Sequence, residues 1–144
     1  MDLNTFKRLY SNEDDTEQVM KKFIEEFDFE NNTVWFCDYM YNESLSGPAF
    51  MSANRVGGFL QRSEKLARGH FASMCITRAP DASHNEIHGF WVVPGAEPSD
   101  VRAVPDSESY DWHKADLSDA AHVDKIIKLG AWTVENFQDG KILK

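Results

Sequence analysis

The sequence predicts an α+β fold, with a mixed or antiparallel sheet of about four to five strands flanked by helices in a single domain. Apolar residues recur at helical spacing near both ends of the chain and again in its middle. Between these segments lie runs rich in β-branched and aromatic residues, some of them alternating with a period of two. A chain of 144 residues is of ordinary size for one domain with its own core.

Charge and composition exclude several classes of function. The formal net charge of −9 argues against a general binder of nucleic acid or of anionic membranes, because such binding needs a basic surface. Residues 50–78 differ, since they hold five Arg and Lys residues and a single acid, Glu64. Two cysteines are too few for a disulfide framework, and no apolar run could span a membrane. We therefore expect a cytoplasmic protein that needs no cofactor.

The first third of the chain predicts two helices followed by a strand. A short opening helix is indicated by apolar residues near the N-terminus, and a second helix continues to about residue 27. Asp14 and Glu17 are spaced as a capping box at the start of this second helix. An Asn-Asn turn at 31–32 then leads into a predicted strand over 33–41, which is rich in aromatic residues.

A central helix and strand form the middle of the predicted core. Val56, Phe59, Leu60 and Leu66 form an apolar stripe, and the helix is predicted to run from 49 to 68. Gly69 would end it by adopting a left-handed conformation. Residues 72–77 then alternate between two faces, as expected for a strand.

Two adjacent glycines and a polar face make this central helix a candidate docking surface. Each glycine costs a helix interior about 1 kcal/mol relative to alanine, so a structural or functional reason is expected. Either the glycines allow tight packing on the sheet, or they allow a partner to approach closely. We expect Gly57 to pack and Gly58 to leave an exposed concavity. The candidate docking surface consists of Asn54, Gly58, Gln61, Arg62 and Lys65 on this helix, together with Tyr110 and Trp112 from a later predicted strand.

The last part of the chain predicts two further strands and a helix. Residues 86–93 should pair with the central strand as a hairpin, and residues 96–107 form a long loop. A strand over 109–115 places Tyr110 and Trp112 on one face. Asp119 caps a last helix, which is followed by an apolar tail. A right-handed crossover through the central helix could make the first two strands parallel, so the sheet topology stays open.

No motif establishes catalysis or metal binding. His84 and His88 are four residues apart, but the zinc-protease order is absent and the segment begins a strand. There is no nucleophile elbow and no phosphate-binding loop. A hydrolase that uses a His and a Ser or Cys from distant positions is one alternative. A second alternative is RNA or small-ligand binding by Tyr110, Trp112 and Lys114. The acidic residues beside them would repel phosphate, so a core position is favoured for the two aromatic rings.

Seven blocks of sequence cover much of the chain and occur in this order: FKRLYSNED (6–14), FMSAN (50–54), GFLQR with KL (58–62 and 65–66), FAS (71–73), GFWVV (89–93), DSESYDW (106–112) and GKILK (140–144). Together they resemble the C-terminal domain of translation elongation factor 1-gamma. The chain departs from this pattern at Pro94 and His113, where basic residues are common in the family, and this weakens a possible basic strip on two strands.

The resemblance implies an α+β fold and a non-catalytic scaffold role. It also implies that residues 1–144 are a domain of a longer protein, which carries an N-terminal glutathione-transferase-like domain and a charged linker. The expected partners are the other subunits of the elongation factor 1 complex and the translation machinery, with nucleotide exchange carried out by those other subunits. The family provides no catalytic residues to transfer to this chain.

Overall fold

A five-stranded antiparallel sheet with helices on both faces makes up the computed structural model, which describes residues 1–144. This confirms the predicted fold class. The helices are α1 (Leu3–Asn12), α2 (Thr16–Glu26), α3 (Ala49–Arg62), the single turn α4 (Ser99–Arg102) and α5 (Ala120–Ala131). The strands are β1 (Asn32–Tyr39), β2 (Phe71–Arg78), β3 (Asn85–Pro94), β4 (Tyr110–Lys114) and β5 (Phe137–Leu143).

The strand order β4-β1-β3-β2-β5 places the predicted hairpin at the centre of the sheet. β2 and β3 pair antiparallel from Phe71 opposite Val92 to Arg78 opposite Asn85, as the sequence predicted. β1 also pairs antiparallel with β3. The first two strands therefore run in the same direction, but they are not neighbours, because β3 lies between them. The parallel pairing considered from the sequence does not form.

Two apolar layers cover the sheet, one on each face. On one face, Val56 and Phe59 of α3 belong to a cluster with Met74 and Trp91 of the central strands. On the other face, α1, α2 and α5 enclose an aromatic cluster in which the Phe6 ring lies 4.5 Å from that of Phe23. Because both faces are covered, seven of the eight residues of β2 are buried, including the polar ones. A buried central strand explains why the two sides of β2 carry similar small or apolar residues.

The central helix is shorter than predicted. α3 ends at Arg62 rather than at 68, and a short 3₁₀ helix, Glu64–Leu66, follows it. At the end of α3, the Phe59 carbonyl accepts hydrogen bonds from the backbone N–H of Ser63 at 3.0 Å and from the buried Ser63 hydroxyl at 2.8 Å. The predicted left-handed cap at Gly69 is wrong, since Gly95 is the one glycine with a positive φ.

Other element boundaries also differ from the prediction. Asp15, not Asp14, caps α2 by accepting a hydrogen bond from the backbone N–H of Gln18. β1 ends two residues early, at Tyr39. The predicted loop over 96–107 contains α4, whose residue Val101 is fully buried and anchors the segment to the sheet.

The apolar tail forms an edge strand, β5, which local sequence did not identify. β5 pairs with β2 from Leu143 opposite Ala72 to Phe137 opposite Thr77. Gly140 provides the space for the Trp132 ring, because a Cβ at Gly140 would lie 2.5 Å from a ring carbon. None of the helices combines the length and the apolar character that crossing a membrane requires.

Candidate functional site

The outer face of α3 presents most of the predicted docking residues together. Asn54, Gln61 and Arg62 are exposed on the helix, and Gly58 is half-buried between them. Lys65 is also exposed, but it lies beyond the helix in the 3₁₀ turn. The apolar stripe that turns Val56, Phe59 and Leu60 toward the sheet leaves these polar residues on the solvent side.

The space over Gly58 is occupied by a side chain of the same helix. A Cβ at Gly58 would lie 2.7 Å from Nη2 of Arg62. The Arg62 guanidinium is held there by Asp106, to which Nε donates at 2.8 Å and Nη2 at 2.6 Å. The hydrogen bonds from Arg62 lower the pKa of the Asp106 carboxyl below its usual value. The expected concavity at Gly58 is thus filled, and the ion pair links α3 to the turn before β4.

Gly57 has open space where a side chain would be. No atom outside its own helix backbone and chain neighbours lies within 4 Å of a Cβ placed there. The expectation that Gly57 packs against the sheet is therefore wrong, because the apolar stripe is provided by Val56, Phe59 and Leu60 instead. The open position on this helix is Gly57, one residue before the position that we expected.

Tyr110 and Trp112 share one face of β4, as predicted, but that face is directed into the core under α3. Tyr110 is only 4% exposed, and its ring stacks on that of Phe59 with 5.0 Å between centroids. Burial raises the pKa of Tyr110, and its hydroxyl has no hydrogen-bond partner. The Trp112 ring is half-buried and donates from Nε1 to the Ser107 carbonyl at 3.1 Å. Lys114 alone of the predicted ligand-binding trio is exposed.

Histidines and nucleophiles do not assemble into a triad. The one hydroxyl–imidazole contact joins the sequence neighbours Ser83 and His84, at 2.7 Å in an exposed loop. The same hydroxyl donates to Asp81, and no acid contacts the other ring nitrogen of His84. Both cysteine thiols are buried, and burial raises the pKa of Cys75 to about 12, which disfavours a reactive thiolate. No group of three or more metal-binding side chains is close enough to hold an ion.

An apolar group at the start of α3 was not predicted from the sequence. Phe50 and Met51 are 64% and 57% exposed, although they lie in the first turn of α3, whose apolar stripe packs on the sheet. The helical stripe that contains Val56 and Phe59 continues back through Ser52 and Ala53, both of which are buried. Phe50 and Met51 fall outside this stripe, so the spacing itself was a signal that these two side chains are not part of the core.

Comparison with known proteins shows one family consistently. A family model described as "Elongation factor 1 gamma, conserved domain" matches residues 1–97. Among curated relatives, the chain is 37% identical to the probable elongation factor 1-gamma of Caenorhabditis elegans over 99% of its own length and 37% of the relative. It is 35% identical to elongation factor 1-gamma of Drosophila melanogaster, over 96% of the chain and 33% of the relative. For elongation factor 1-gamma of Schizosaccharomyces pombe, the identity is 35% over 99% of the chain and 36% of the relative.

These matches cover nearly all of this chain but only part of each relative. The chain spans about a third of the length of the curated relatives that it matches. The alignments with two of the three relatives span 99% of the chain, and the family model covers residues 1–97. The chain therefore belongs to the elongation factor 1-gamma family.

Proposed function

We propose that this domain is a non-catalytic docking module of the translation elongation factor 1 complex, acting in the cytoplasm. Its partners would be other subunits of that complex or the translation machinery, with nucleotide exchange carried out elsewhere in the complex. In this proposal residues 1–144 are one domain of a longer protein, behind a glutathione-transferase-like domain. The family name of the relatives supports the setting in translation elongation.

We infer the docking role from the outer face of α3. This face combines exposed polar side chains with an open glycine position, Gly57, where a methyl group would meet no atom of another element within 4 Å. Asn54 and Gln61, three residues before and four residues after Gly57, flank that opening with two amides, and Lys65 adds a charge in the turn that follows the helix. Amide and ammonium groups can form hydrogen bonds with a partner's backbone or acidic side chains, and the open glycine lets that backbone approach closely.

The RNA-binding alternative has less support from this geometry. Stacking on a base requires an exposed aromatic face, and the Tyr110 ring is 4% exposed beneath α3. The exposed Lys114 is left with only the half-buried Trp112 beside it. A net charge of −9 also opposes phosphate binding.

Binding of the domain to purified elongation factor 1 subunits, measured by calorimetry, tests the proposal. Lys65→Glu reverses a charge on the proposed surface and is expected to weaken binding by about tenfold, the effect of a loss near 1.4 kcal/mol. Lys21→Glu is the matched control, because Lys21 is exposed on α2 across the sheet. Equal effects of the two variants, or a domain that binds none of the subunits, would contradict the proposal.

A further inference from the structure

The four large apolar side chains that the structure leaves most exposed lie within one short stretch of the chain. Met40 is 41% exposed, Tyr41 56%, Phe50 64% and Met51 57%. Met40 and Tyr41 follow the end of β1, Phe50 and Met51 lie in the first turn of α3, and we call these four residues the apolar patch. Single exposed apolar residues are ordinary, but such residues concentrated at one place indicate an interaction surface.

Arg55 borders the apolar patch on its α3 side. Its guanidinium lies over the Tyr39 ring, 5.2 Å from the centroid, and the Tyr41 ring packs edge-on against the same ring at 5.7 Å. Met51 precedes Arg55 by one helical turn, so the two side chains lie on the same face of α3. Arg55 forms no ion pair within the chain; it helps to lower the pKa of Asp106, but that carboxylate is hydrogen-bonded to Arg62, the other charged residue of α3. The patch thus adjoins an arginine whose charge is available.

The sign of the charge differs between the two parts of the apolar patch. α3 contains two arginines and no acid over Ala49–Arg62. Met40 and Tyr41 instead line an open depression of about 460 Å³ together with the acids Glu43 and Glu86, and neither Phe50 nor Met51 contributes to it. A partner that places negative charge toward Arg55 is attracted there, and one that places it toward Glu43 is repelled. This polarity fixes both the charge and the orientation of the partner.

The size of the apolar patch favours a segment over a folded copy of the same chain. With large side chains of about 200 Å² each, the stated exposures amount to an area on the order of 500 Å². A stable protein–protein interface covers about 800 Å² on each partner. A short amphipathic segment that contributes one or two apolar anchors matches the smaller area, and aromatic, methionine and arginine side chains are typical of such anchor sites.

We propose that the apolar patch and Arg55 bind an acidic amphipathic segment of a partner protein, with its apolar residues on Phe50 and Met51 and its acids beside Arg55. This inference rests on the proposed docking function and adds the chemistry of the partner. It uses the N-terminal end of α3, whereas Lys65 lies beyond the other end of the helix.

A synthetic helical peptide with leucines along one face and glutamates along the other is the probe, and its binding is followed by fluorescence anisotropy. Phe50→Ser and Arg55→Glu should each weaken binding of this peptide by about tenfold. Arg8→Glu is the control, because Arg8 is exposed on α1 at the other face of the sheet, and it should leave the affinity unchanged. A second peptide, in which lysines replace the glutamates, should bind the Arg55→Glu variant better than the original domain.

Three results would overturn the inference. The first is binding of the glutamate peptide that neither Phe50→Ser nor Arg55→Glu alters, or no binding of that peptide. The second is concentration-dependent self-association that Phe50→Ser abolishes, which would assign the patch to a second copy of the chain. The third is displacement of the peptide by a single-stranded RNA oligonucleotide at low salt. The domain could fail to bind the glutamate peptide while Lys65→Glu still weakens its binding to elongation factor 1 subunits. That result would refute this inference alone and leave the docking function standing.

Discussion

Replacing Gly57 by alanine tests whether the outer face of α3 is open. Gly57 lies in the interior of a helix of 14 residues, and its φ is not positive. A Cβ at this position meets no atom of another element within 4 Å. The new methyl group therefore brings no steric cost, and the backbone already has a conformation that alanine prefers.

The expected magnitude follows from helix propensity alone. Alanine favours a helix interior over glycine by about 1 kcal/mol, partly because it restricts the unfolded chain. Since no contact is strained, nearly all of this should appear as a higher free energy of unfolding. In a chain of this size, 1 kcal/mol corresponds to a rise in melting temperature of about 3 °C.

Thermal unfolding followed by circular dichroism measures the shift, with Gly89→Ala as a control of opposite sign. A Cβ at Gly89 would lie 2.2 Å from Sδ of Met74 and 2.7 Å from the Ser73 carbonyl oxygen. That overpacking should cost about 1–3 kcal/mol and lower the melting temperature by several degrees. A melting temperature of Gly57→Ala that also falls by several degrees would refute the reasoning, because it would place Gly57 on a packed face.

Two further substitutions test the buried polar groups of the α3 layer. Burial lowers the pKa of His70 below its usual value of 6.5, so the unfolded chain binds a proton that the folded chain does not, and stability falls as the pH drops through about 6.5. His70→Asn, whose side-chain amide nitrogen lies about where Nδ1 does and can donate to the Leu66 carbonyl, should lose less stability in urea titrations between about pH 7 and pH 5, whereas an unchanged pH dependence would contradict this. Tyr110→Phe removes a buried hydroxyl that has no partner, and urea unfolding should show equal or higher stability, by up to about 1 kcal/mol. A loss of that size would mean instead that the hydroxyl makes a stabilising contact.

The local sequence pattern was sufficient to predict elements in which residues two, three or four positions apart lie on the same face. The apolar spacing of Val56, Phe59 and Leu60 placed α3 on the sheet, and the period of two in 72–77 identified β2 but did not show that both of its faces are buried. Asp119 was predicted to cap α5, and in the structure its side chain accepts a hydrogen bond from the backbone N–H of Ala121. These features depend on residues a few positions apart, which a single sequence displays.

Features that depend on distant residues could not be predicted in the same way. β5 is a strand because Gly140 lies beneath the Trp132 ring and β2 provides the pairing partner. α3 ends at Arg62 and a 3₁₀ turn follows, although the apolar pattern continues to Leu66 and indicated more helix. The space over Gly58 is filled because Asp106, 44 residues from Arg62, orients the guanidinium. The first and last of these features involve contacts between residues that are far apart in the sequence, and the spacing of apolar residues along one helix or strand gives no information about such contacts.

The position of β5 at the edge of the sheet has a consequence for the order of folding. β5 pairs with β2 across an intervening stretch that contains β3, β4 and α5, and the Tyr10 hydroxyl donates to the carbonyl of Gly130, 120 residues later. Both apolar layers are therefore completed by the last part of the sequence, since Leu143 belongs to one and Ile142 packs on the other. A nascent chain emerging from the ribosome cannot close either layer until β5 has left the exit tunnel. Pairings of such long sequence separation are slow to form, so this domain should fold late in its own synthesis rather than helix by helix.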